Sequence, residues 1–142
     1  MEIVNKTKHT YIMRLDQGEE FIAVVQNFCL ENKIQSAWFF ALGATNGITL
    51  AFFDTEKKEY KTKEFQEPLE ILNLSGNIAL KDNKPFLHAH GVFSRSDMSI
   101  VGGHVMRCVV SATCEIKIEV GAGTIQRKFD DRTGLHLLSG SS

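Results

Sequence analysis

The chain has 142 residues, 43% of them from the apolar AVILMFWYC set and 23% charged, a make-up that suits one globular domain with a single core and excludes a wholly disordered chain. Sixteen Lys plus Arg against seventeen Asp plus Glu leave a formal charge of −1, a poor balance for holding nucleic acid by phosphate neutralisation alone. No apolar run reaches the roughly 18 residues of a membrane-spanning helix, and Met1 to Thr10 lacks the apolar stretch of a secretory signal, so the expectation is a cytoplasmic protein with no membrane partner.

His9 to Leu15 alternates loosely and predicts an opening strand. Asp16-Gln-Gly-Glu19 then supplies a turn, a capping side chain and acidic residues for the start of a helix. Over residues 19–32, Phe21, Val24, Val25, Phe28 and Cys29 recur at i, i+3, i+4, i+7 and i+8, so one helical face is apolar and packs on a sheet. This is the one main helix. Ala37 to Ala44 and Ile48 to Asp54 read as two strands of a hairpin, with Thr45-Asn46-Gly47 as its turn. Tyr60 to Phe65 is charged, like an edge strand, and its lysines are neutralised by Glu56, Glu59 and Glu64. Leu69 to Leu80 and Phe86 to Ser94 are strands entered at Pro68 and Pro85. From Val110 to Val120, apolar and polar residues alternate strictly, the pattern of a half-buried antiparallel strand. Thr124 to Phe129 closes the sheet. The fold class is α+β, mostly antiparallel sheet with one helix packed on it. Residues 1–138 form a single domain, and Ser139 to Ser142 form a flexible tail.

Cys29, Cys108 and Cys114 are odd in number and have no C-x-x-C spacing. They read as buried free thiols of a reducing compartment rather than a disulfide framework.

Three of the five histidines gather in one short stretch, His88-Ala-His90 and Gly102-Gly103-His104. Residues i and i+2 of a strand share a face, so His88 and His90 project together. A hairpin centred on Asp97 sets His90 directly opposite His104, with His88 as the diagonal neighbour. Opposite Cβ atoms lie about 4.5–5.5 Å apart and diagonal ones about 7–8 Å, a span that three imidazoles can close around one ion. Gly102 and Gly103 clear space beside this point, though they also invite a bulge that would shift the register. Three neutral imidazoles with an open fourth position describe a catalytic-type site for a divalent metal, zinc first, with iron, cobalt and nickel also chemically suited. A polar pocket holding water is the alternative, since buried imidazoles need some partner.

Glu115, on the polar face of its strand, is a candidate fourth ligand, second partner or proton carrier, and otherwise a solvated surface residue. Arg14, Glu19, Glu70, Arg107, Arg127 and Arg132 lie in or beside apolar segments, where structural ion pairs are the expectation. His9 and His136 stand apart from the trio. No Walker-A loop, G-x-G-x-x-G or G-x-S-x-G is present, and Gly43 to Gly47 lacks the following helix that a phosphate cradle needs.

An ordered set of short motifs resembles the plant and prokaryote conserved (PPC) domain family. They are Arg14-Leu15-x-x-Gly18-Glu19, Leu42-Gly43-Ala44, Pro68-Leu69-Glu70-Ile71 and Ser75-Gly76-Asn77. They continue as Pro85-Phe86-x-His88-x-His90, Gly102-Gly103-His104 and Arg132-x-Gly134-Leu135. The resemblance implies an α+β fold assembled as a homotrimer, with the histidine cluster in a pocket near subunit contacts, and a description as DNA-binding. Plant members carry an Arg-Gly-Arg-Pro type AT-hook ahead of this domain, and no such segment occurs in this sequence. The family also resembles acetolactate decarboxylase in fold, an enzyme whose zinc site is likewise an H-x-H plus a distal histidine.

Three functions follow as expectations. The first is a homotrimeric, metal-capable regulatory module that binds a small-molecule ligand and acts with DNA. The second is a metal-dependent lyase, decarboxylase or hydrolase on a small oxygenated substrate. The third is a metal-free trimeric scaffold. His88, His90 and His104 are the metal residues in the first two, and a nucleic-acid-binding residue cannot be named from the sequence.

Overall fold

In the computed structural model, which describes residues 1–140, the elements run β1 (Glu2–Lys6), β2 (Thr10–Asp16), α1 (Phe21–Glu31), β3 (Ala37–Asp54), β4 (Glu59–Phe65) and β5 (Leu69–Lys81). They continue with β6 (Lys84–Ser94), β7 (Ile100–Val120), β8 (Gln126–Asp130) and β9 (Leu135–Ser139). The architecture is the α+β arrangement expected, with all the described strands in one sheet, antiparallel except for a single parallel contact of β8 with β5. β3 pairs with β5 and β7, and β6 pairs with β5 and β7, so these four strands close a circuit around the core.

Alternation decides which side chains line that core. Cys114, Ile116 and Ile118 of β7 are fully buried, while the alternating Glu115 and Glu119 are exposed. α1 packs on β6 and β7 through Phe21, Val25, Phe28 and Cys29. Its first turn is capped by Glu20, whose carboxylate accepts from the Ile22, Ala23 and Cys108 amides. Asp16 and Glu19, expected to serve that end of the helix, instead hold the amino terminus of Met1 at 3.0 and 2.8 Å. The thiols of Cys29, Cys108 and Cys114 are free and buried, and burial pushes them up to about 12, 11 and 12.

The hairpin expected at Thr45-Asn46-Gly47 is not formed: β3 passes through as one strand of 18 residues. A type I′ turn needs positive φ at both central residues, and neither Asn46 nor Gly47 has it. β7 runs beside both halves of β3, and the register shifts around Gly43, Thr45 and Gly47, where the strand bends through bulges. The buried Thr45 hydroxyl donates to the Val109 carbonyl at 2.6 Å and secures the bend. The true two-residue hairpin is Asp82-Asn83, both at positive φ, between β5 and β6.

Two further strands escape the sequence pattern. β1 is exposed along its length, and β9 pairs with β8. The expected tail therefore starts inside a strand, because Ser139 pairs with Gln126; Ser141 and Ser142 lie outside the described residues.

Candidate metal centre

The β6–β7 hairpin has the anticipated register. His90 stands opposite His104, Gly91 opposite Gly103 and Val92 opposite Gly102, with no bulge between the strands. Leu87, Ala89 and Val105 turn into the core, so His88, His90 and His104 share the opposite face of the sheet. Their ring centroids lie 5.0, 5.1 and 5.3 Å apart. One nitrogen from each ring falls within 4.8 Å of the other two.

Tetrahedral zinc–imidazole bonds of 2.0–2.1 Å put ligand nitrogens roughly 3.3–3.4 Å from each other, so small rotations of the rings complete the set. The chemistry of the donors fits as well. Burial first, then the nearby positive charge of Arg127 and the other two rings, pushes His88 down to about 4. His104 is lowered by burial, His90 and Arg127. These two rings are thus neutral at physiological pH, the form that coordinates a metal.

Gly76 explains how β5 meets this strand. A side chain there would run into the carbonyl of His88 and approach the Phe39 ring at 2.9 Å. The Ser75-Gly76-Asn77 motif therefore keeps β5 tight against β6 behind the histidines.

Glu115 does not join the trio. It is exposed, sits between Arg14 and Leu42 in the ladder, and lies roughly 30 Å or more of strand away from His104 along β7. His136, expected to stand apart, meets Phe129 edge-on with ring centroids 5.3 Å apart and lines one cavity with His88 and His104. Arg14 is in the expected ion pairs, with Glu2 at 2.8 Å and Asp16 at 3.1 Å.

Arg127 departs from that expectation. Its Nη2 donates to Asn77 Oδ1 at 2.7 Å and its Nη1 to the His136 carbonyl at 2.9 Å. No carboxylate pairs with it among the described residues. Tyr60, on the strand expected to be a charged edge, has its ring 5.2 Å from that of His104. Neither residue carries a local signal of its role, because β4 and the β8–β9 hairpin reach the histidines only through the tertiary fold. Together they help line a cavity of about 230 Å³ shared with Lys81, Phe86, His88, His104 and residues 134–137.

Residues 3–121 match the model of the Plants and Prokaryotes Conserved (PCC) domain. No protein with a curated description matches the chain. Among solved structures, a candidate DNA-binding protein of Bacteroides thetaiotaomicron is 31% identical, covers 95% of this chain and 94% of its own, and superposes with a TM-score of 0.92. A protein of Archaeoglobus fulgidus described as metal-containing is 34% identical over 99% of both chains, with a TM-score of 0.87. Acetolactate decarboxylase from Bacillus subtilis shares the fold alone, at 16% identity and a TM-score of 0.57 over 82% of this chain and 54% of its own. A histidine trio on the β6–β7 hairpin, a matched family model over most of the chain and near full-length structural likeness agree: this chain belongs to the plant and prokaryote conserved domain family.

Proposed function

We propose that the protein binds one divalent metal, zinc in the first instance, through His88, His90 and His104, and presents it to a small molecule. The observation that carries this is the convergence of three imidazole nitrogens within 4.8 Å of one another on a single sheet face. The likeness to an archaeal protein described as metal-containing supports it. When bound, such an ion supplies a Lewis-acidic position open to water or a substrate oxygen. The chain's own contribution is to keep His88 and His104 unprotonated and to wall the site with Tyr60, Phe86 and Arg127.

The assembly we propose is a homotrimer in the cytoplasm. Trp38, Phe40 and Leu42 alternate along β3 with their side chains outward, each more than half exposed, a row of large apolar groups that a monomer gains by covering. Trp38 also lines a cavity with His88 and His90, so a copy seated on this row borders the histidines. Association with DNA follows the description of the Bacteroides relative. With a formal charge of −1, we expect it to be weak and steeply salt-dependent.

A second reading, a metal-dependent lyase, decarboxylase or hydrolase on a small oxygenated substrate, is favoured by the cavity that opens beside His88 and His104. Elemental analysis of freshly purified protein, kept from chelators, tests the metal in both readings. About one metal per chain is expected, and less than about 0.1 per chain overturns it. Turnover lost in His88→Ala with the fold intact separates the enzyme from the module.

A further inference from the structure

We propose that the cavity beside the histidines holds a small organic carboxylate, with Arg127 as its principal anchor and Lys81 as a second counter-charge. This deepens the metal-binding reading by naming the ligand class, and it rests on that reading where the ion adds its own positive charge to the same space.

The charge balance of the wall is the first argument. Tyr60, Lys81, Phe86, His88, His104 and Arg127 line the cavity with residues 134–137, and none of these is Asp or Glu. Arg127 is half-buried, and burial lowers it from its usual value. A guanidinium withdrawn from water ordinarily acquires a carboxylate partner, because an unpaired charge at low dielectric is costly. Among the described residues its only acceptors are a neutral side-chain amide and a neutral backbone carbonyl. Of five N–H donors these contacts use two, and the enclosed Nε meets no acceptor. Arg127 also stacks over Phe86 at 5.5 Å, as does Lys81 Nζ, so both cations are held against the same ring.

Shape and chemistry narrow the class. The planar guanidinium fork matches a carboxylate. A space of about 230 Å³ is below the usual drug-sized pocket and suits a molecule of about five to ten heavy atoms. Phe86, Leu135 and Leu137 give it apolar walls, which favour a short carbon skeleton over an inorganic anion. Arg127 and residues 134–137 reach the cavity from the β8–β9 hairpin, while Tyr60, Lys81, Phe86, His88 and His104 reach it from the body of the sheet.

Calorimetric titration of zinc-loaded protein with pyruvate, pyruvamide and inorganic phosphate tests this. Pyruvate is expected to bind at least about tenfold more tightly than its neutral amide, and Arg127→Met to remove that advantage at unchanged zinc content. Arg127→Lys is expected to retain part of it. Equal affinity for pyruvate and pyruvamide in the unmodified protein overturns the proposal without any variant, as does undiminished pyruvate binding in a folded Arg127→Met protein. Phosphate binding more tightly than pyruvate overturns the carboxylate class. Zinc uptake is measured separately. If none occurs, the metal reading falls, and the same three titrations of the metal-free protein decide the carboxylate by the same criteria.

Discussion

Arg127 on β8 and Asn77 on β5 are joined by a 2.7 Å hydrogen bond, and Asn77 is also the ladder partner of His88. The late hairpin is thereby tied to the strand pair that carries the three histidines. The same guanidinium depresses the proton affinity of His88 and His104. A residue with no regular place in the sequence pattern thus influences both the pocket's shape and its charge.

Removing ligands should dismantle the metal site stepwise. His88→Ala and His104→Ala are each expected to weaken zinc binding by about a hundredfold or more, since two remaining imidazoles cannot complete the set. Competition with a chromophoric chelator measures this, with circular dichroism confirming that the sheet persists.

The outward row on β3 predicts a clean change of assembly. Trp38→Glu combined with Phe40→Glu is expected to convert the proposed trimer to monomers, because charges placed at an apolar contact lose hydration on association. Analytical ultracentrifugation reads the outcome, and an unchanged sedimentation coefficient would show that another face makes the contact.

Gly76→Ala should be costly. The added methyl collides with the His88 carbonyl, so β5 and β6 must separate just where the histidines are positioned. A loss of about 1–3 kcal/mol in stability is expected, from denaturant titration, together with weaker zinc uptake. Gly123→Ala is no suitable control, since Gly123 has a φ of +74°, whereas Gly140→Ala meets nothing and should be silent.

Metal-free protein should lose stability in mild acid. Folding holds His88 at about 4 and lowers His104, whereas both return to about 6.5 on unfolding. Between those values the unfolded chain binds protons that the folded chain refuses, so stability rises with pH. The contribution is fully present above about 6.5 and lost as pH falls toward about 4. Urea midpoints across this window test it, and the double variant His88→Ala/His104→Ala should show a flatter profile.

Much of this was legible in residue order. Strict alternation from Val110 to Val120 identified a half-buried strand, and the 3.6-residue recurrence of Phe21, Val25 and Phe28 identified the helix. The spacing of His88, His90 and His104 about Asp97 even specified their register, because a hairpin is a local structure whose pairing follows from its turn. Asn46-Gly47 misled for the complementary reason. Turn chemistry states what a dipeptide can do, and β7, lying along both halves of β3, provided pairings that carry the chain through a bulged bend as one continuous strand. Tyr60, Lys81 and Arg127 came to the histidines through contacts between strands distant in sequence, and local periodicity carries no record of these. Residue order thus settled the helix, most of the core strands and the register of the histidine trio, whose geometry is short-range. The charged pocket around them was decided by tertiary closure of the sheet, which alone sets which outward-facing side chains meet.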